Sequence, residues 1–118
     1  MNKKLTEILT AWKEKYGENM SVYPDERIAE IATNCMSLAQ VWLESIKNVK
    51  NISLELSLYN KDNVLCDILH GINDDNLVET MLDILVNKHE KYSKISLNYY
   101  SYVNGSKREG LVGEMDIS

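Results

Sequence analysis

The chain contains no phenylalanine, one proline and only two cysteines among its 118 residues. Without phenylalanine, tryptophan and tyrosine must supply the aromatic bulk, so a tyrosine cluster is core material as readily as a binding surface. A single proline excludes a proline-rich linker, and no low-complexity run or whole-unit repeat divides the chain. Two cysteines cannot make a disulfide framework; Cys35 and Cys66 are expected as buried, reduced thiols. No apolar run approaches the ~18 residues of a membrane span. The opening MNKKLTEILTAWKEKYGE mixes lysines and acids at amphipathic spacing and lacks the unbroken apolar segment of a signal peptide. The expectation is a cytoplasmic protein with no membrane partner.

Basic residues are missing from one long stretch. The net charge is −5, and between Lys61 and Lys88 no Lys or Arg occurs, whereas Asp62, Asp67, Asp74, Asp75, Glu79 and Asp83 all fall there. Such a stretch repels phosphate backbones, which argues against direct nucleic-acid binding and for steering of a basic protein partner. The plainer reading is a solvated helix face with acids at the positive end of a helix dipole.

Catalytic signatures are absent too. There is no Walker loop, GxGxxG or HExxH. Cys66 and His70 would share a face if 64–70 were helical, but no third group orients them. His70, Asp74 and Asp75 lack metal-ligand spacing. The reading is therefore non-enzymatic, with no catalytic residue, cofactor or metal.

What is present is a clear change of period. Leu5, Ile8, Leu9, Trp12 and Tyr16 recur at helical spacing over Lys3–Tyr16, and Gly17 stops the run. Pro24, Asp25 and Glu26 suit a first helical turn. From there Ile28, Ile31, Ala32, Cys35, Leu38, Ala39, Trp42, Leu43 and Ile46 hold one face to about Lys47, roughly 36 Å of helix. If part of that stripe stays exposed, a homodimer would cover it. In ISLELSLY the period drops to two, predicting a strand with Ser53, Glu55 and Ser57 on a wet face. NKDN is a turn, and VLCDILHG is ambiguous between strand and helix, the strand completing a hairpin. A third helix is expected from about Asp75 to Lys91, with Asn76 and Glu79 as a capping box and His89 on its apolar stripe. ISLNYYSYV and GLVGEMDI then alternate as two more strands.

The order is α-α-β-β-α-β-β. It predicts one α+β domain over 1–118: an N-terminal helix and connector (1–22), then a helix plus ββαββ core (23–118). The two hairpins form a four-stranded antiparallel sheet with the helices packed on one face.

Asn104-Gly105 between two apolar runs signals a tight hairpin. Parity disturbs that reading, because a regular two-residue turn puts Leu111, Met115 and Ile117 on the face opposite Ile95 and Leu97. A five-residue loop, 104–108, would pair Ile117 with Ile95, Met115 with Leu97 and Gly113 with Tyr99. Tyr99 then faces the core. Ser96, Asn98, Tyr100 and Tyr102 line the other face beside Val112, Glu114 and Asp116, with Lys107 and Arg108 in the loop. The residues expected to meet a partner are Asp67, Asp74, Asp75, Glu79 and Asp83 in the acidic stretch, and Tyr100, Tyr102, Lys107 and Arg108 around the last hairpin.

WLESIKNVKNISLELSLYNKDN, LVETMLDILVNKHEKYSKISLNYYSYVNG and GLVGEMDIS resemble, in their pattern of elements, the YezG-like immunity proteins of bacterial polymorphic-toxin systems. The likeness spans residues 40–118, leaves helix Lys3–Tyr16 outside it, and transfers no functional residue. It implies a cytoplasmic inhibitor of a cognate toxin domain, often a nuclease whose basic groove an acidic protein would fill. Two other readings share the same physics: a small inhibitor or adaptor, such as a phage-encoded inhibitor of a host defence complex, and a small-ligand-binding domain.

Overall fold

The computed structural model describes residues 3–17 and 23–117. The chain runs α1 (Lys3–Tyr16), α2 (Asp25–Ile46), β1 (Ser53–Tyr59), β2 (Leu65–Ile72), α3 (Leu77–Asn87), β3 (Lys94–Val103), β4 (Ser106–Asp116). The four strands form one antiparallel sheet in the order β2-β1-β3-β4. Residues 65–72 are thus strand, while residues 18–22 of the expected connector lie outside the described residues.

Helix α1 ends where its sequence says it should. Gly17 takes φ +80° and donates its N–H to the Lys13 carbonyl, the left-handed stop that glycine adopts without penalty. Pro24 stands one position earlier than expected. It is the extended residue before α2, and its carbonyl accepts from Arg27 and Ile28 to start the helix.

The start of α3 departs further. Asn76 precedes the helix, but its side-chain oxygen accepts from the Asn73 N–H and its amide donates to the Gly71 carbonyl. The Asn73 side chain meanwhile accepts from Asp75 and Asn76, fixing a turn that holds Asp74 and Asp75 out of the helix. No capping box forms; Glu79 reaches Lys15 of α1 instead, at 3.8 Å. The helix closes at Asn87, so His89 is not on its stripe and lies against the Tyr23 ring, 5.6 Å between centroids.

Two apolar clusters hold the layers together. Leu54, Leu56 and Leu58 of β1 and Ile95 and Leu97 of β3 meet Cys35, Ala39 and Trp42 of α2 and Leu77, Met81 and Ile84 of α3. Leu5 and Trp12 of α1 meet Ile28 and Ala32 of α2 and Leu82 and Val86 of α3. Burying each large side chain contributes about 1.5–3 kcal/mol. All core residues of β1 and β3 have one parity, which puts the helices on one face of the sheet. The molecule measures 48 × 34 × 21 Å. Its thinnest dimension holds one sheet and one helical layer, about 10 Å each, so among the described residues no helix covers the other face of the sheet.

The last hairpin reverses an expectation. Val103 pairs with Ser106, and Asn104 (φ +52°) and Gly105 (φ +82°) make the two-residue turn, so 104–108 is not a five-residue loop. Lys107 and Arg108 belong to β4. Parity is restored by a bulge: Asn98 pairs with Leu111 and Leu97 with Gly113, leaving Val112 as the extra residue. Ile95 then pairs with Met115, which joins the core. One inserted residue in mid-strand does what the longer loop was expected to do.

Candidate functional site

The uncovered sheet face can be read rank by rank across the strands. Tyr59 lies beside Lys94 and Asp116; Ile68 beside Ser57, Ser96 and Glu114; Glu55 beside Asn98 and Leu111; Ser53 beside Tyr100 and Glu109; and Tyr102 beside Lys107. Small polar side chains form the floor. Ser57 and Ser96 are buried, and the Asn98 amide donates to both hydroxyls, at 2.8 and 3.4 Å. Taller groups stand around them: Tyr102 is 67% exposed, Leu111 59% and Ile68 40%. Isolated apolar residues on a surface need no explanation, but these share one face with a buried polar floor.

At one end of this face sits a charged and aromatic group. The Glu55 side chain is only 3% exposed, although the alternation of β1 predicts a wet position. A bulge causes this. Leu56 pairs with Leu69 and Leu54 with Ile72, so two residues, His70 and Gly71, oppose Glu55, and Gly71 takes φ +74°. His70 Nδ1 then lies 3.5 Å from Glu55 Oε2. From the far strand, Lys107 Nζ comes within 3.6 Å of Glu55 Oε1 and 3.5 Å of Glu109, and sits 4.8 Å above the Tyr100 ring. Burial works against the Lys107 charge, but the carboxylates of Glu55 and Glu109 outweigh it and hold the ammonium above its ordinary range. The rings of His70, Tyr100 and Tyr102 run edge to face, 6.3 and 6.2 Å between successive centroids.

The expected partner-binding residues are therefore brought together only in part. Tyr100, Tyr102 and Lys107 are neighbours on the open face. Arg108 pairs with Ser101, whose parity places it on the opposite face. The acids do not form one patch. Asp67 accepts a hydrogen bond from the Tyr92 hydroxyl and lies 3.6 Å from Lys91. The Tyr92 hydrogen bond, helped by Lys91, holds the Asp67 carboxyl below its usual range. Asp83 is buried on α3 between the Asn87 amide and Lys88, and Glu79 faces α1. Asp74 and Asp75 are exposed in the turn before α3. Val112, expected beside the tyrosines, is the half-buried bulge residue packed against the core, and Leu111 takes its place.

Cys66 is exposed, against expectation, because it falls at an irregular step of the outer strand β2. Cys35 is buried, and its surroundings push the thiol up to about 12. Among the described residues no three His, Cys, Asp or Glu side chains come together as a metal site, and no helix is long and apolar enough to cross a membrane.

Sequence reasoning placed Glu55 on the polar face of β1 but missed its burial, and missed Leu111 as a member of this face. The only local signal for Glu55 is a lone carboxylate between two serines in a strand. Its burial comes from one bulge and from a lysine two strands away. Comparison with protein-family models, with curated proteins and with solved structures returned no match.

Proposed function

We propose that this chain is a binding protein of the immunity type: a non-enzymatic cytoplasmic inhibitor that neutralises a cognate toxin domain by docking it on the helix-free face of the sheet. The observation that carries this reading is that face itself. It presents Tyr102, Tyr100 and Leu111 as large contact groups over a hydrogen-bonded polar floor, with charges at its margin. Tyrosine combines area with a polar tip at low rotamer cost, which is the composition of protein-binding surfaces. The net charge of −5 suits a toxin with a basic substrate groove, a nuclease above all.

The experiment compares capture by the tagged protein and two variants from lysate of its native cell. Wild type and Val41→Asp, altered on the exposed side of α2, are expected to retain one stoichiometric protein partner. Tyr102→Ala is expected to weaken the complex by about 2 kcal/mol, as a contact hot spot does. No stoichiometric partner, or equal capture by all three proteins, removes the reading.

A second reading, small-ligand binding, rests on a cleft of about 600 Å³ between the end of α2 and the sheet, lined by Ile46, Ile52, Leu54, Ile72, Asp74 and Tyr100. Lys47, Asn73 and Asp74 share this lining with the apolar residues, and the larger exposed contact groups of the face favour it over the cleft.

A further inference from the structure

Glu55 is the buried carboxylate of the open face, and its two oxygens are treated differently. Oε1 has the Lys107 ammonium at 3.6 Å. Oε2 is shielded from solvent and has no hydrogen-bond partner. The neighbour of the same rank, Asn98, directs its amide at Ser57 and Ser96 instead. His70 Nδ1 lies beside Oε2 at 3.5 Å without hydrogen bonding it. An unpaired carboxylate oxygen away from water is unfavourable, and a cationic N–H donor is what relieves it.

The surroundings already accept one cation. Lys107 lies over the Tyr100 ring while it reaches Glu55, so a carboxylate and an aromatic wall act together on one ammonium. The cover over the second oxygen is loosely held: the His70 side chain is 64% exposed and meets Tyr100 only edge-on. Turning it outward would open Oε2 on the side of the Tyr100 ring. With Glu55 and Glu109 against Lys107, the locus is left with one unbalanced negative charge when His70 is neutral.

Resting on the reading of this face as the docking surface, we propose that Glu55 is the receptor for an arginine of the partner. Its guanidinium replaces the His70 ring, stacks by Tyr100 and donates to Oε2, while Lys107 keeps Oε1. Arginine fits better than lysine because its planar fork suits a carboxylate edge and lies flat on an aromatic face. A toxin groove built to hold phosphates would present such arginines, so the inhibitor would engage the groups that hold the toxin's substrate.

The test needs no partner. N-acetyl-arginine amide is titrated into the whole protein, with N-acetyl-lysine amide and sodium chloride at matched ionic strength alongside, while NMR follows the Glu55 carboxyl carbon and the His70 and Tyr100 signals. Wild type is expected to show saturable arginine-dependent shifts with a millimolar Kd. Glu55→Gln is expected to weaken this about tenfold or more, and His70→Ala to tighten it severalfold. Shifts equal to those of salt, equal response to the lysine probe, or an unaltered Kd in Glu55→Gln overturns the assignment. If Glu55→Gln does not fold, His70→Ala decides: no tightening overturns it. Loss of partner capture in Tyr102→Ala is read separately, so failure of the arginine site and failure of the docking face are distinguishable.

Discussion

At the scale of single residues, Gly113 decides how α2 meets the sheet. A Cβ there would lie 2.2 Å from the indole Nε1 of Trp42, a distance no carbon can hold. Trp42 is buried, so its ring cannot move aside without disturbing the main cluster. Gly110 stands in a similar relation to Tyr99, 2.4 Å from Cζ, but Tyr99 is only partly buried and its ring has more freedom. Gly113→Ala is expected to destabilise by about 1–3 kcal/mol, the usual cost of overpacking. Gly110→Ala should cost less. Thermal denaturation of the two variants checks both the size and the order, and equal melting temperatures would mean the Trp42 contact is no tighter than the Tyr99 one. Trp42 and Tyr99 are legible as core residues from period alone. The two glycines are not, because their role is set by rings that reach them only in the folded state.

At the scale of elements, the β3–β4 hairpin shows how far a pattern carries. The turn residues Asn104-Gly105 and the conflict of parity between the two apolar faces are both visible in the sequence. The device that resolves the conflict is not, since a longer loop and a mid-strand bulge change parity equally. Tertiary packing chooses between them: the bulge keeps the tight turn's matched twist and still brings Gly113 under Trp42 and Met115 into the core. The same holds for β2, where the bulge at His70 and Gly71 lowers the legibility of the Glu55 site. Register also predicts what deletions do. Without Val112, Asn98 still pairs with Leu111 and Leu97 with Gly113, now in a regular ladder. The expected loss is only the partial burial of one valine, about 1 kcal/mol. Without Gly113, Val112 must take the place under Trp42, and its side chain meets the indole. The Gly113 deletion should therefore lower the melting temperature more than the Val112 deletion, with β3 and β4 amide exchange protected in the latter. Equal losses would mean that the bulge, and not the glycine, sets the register.

At the scale of the whole molecule, both apolar clusters draw on α2 and α3, and α2 divides between them along its length. Its first half, Ile28 and Ala32, packs with α1, and its second half, Cys35, Ala39 and Trp42, packs on the sheet. The stripe on α2 is legible in the sequence, but its division between two clusters is not, because nothing local says which residues α1 will meet. That division raises the question of cooperativity, and the two thiols answer it. Cys66 is exposed and should react with a thiol reagent at once. Cys35 lies within the main cluster, where burial pushes its thiol up to about 12, so at neutral pH it is both covered and protonated. It reacts only through an opening of the fold. Trp12→Ala removes the largest ring of the other cluster, at a cost of about 3 kcal/mol or more. If α2 and α3 make the two clusters one unit, that variant should accelerate Cys35 labelling roughly 100-fold in a Cys66→Ser background, matching its loss of stability. Unchanged Cys35 labelling beside a lowered denaturation midpoint would show that α1 leaves alone, with the sheet and its open face standing without it.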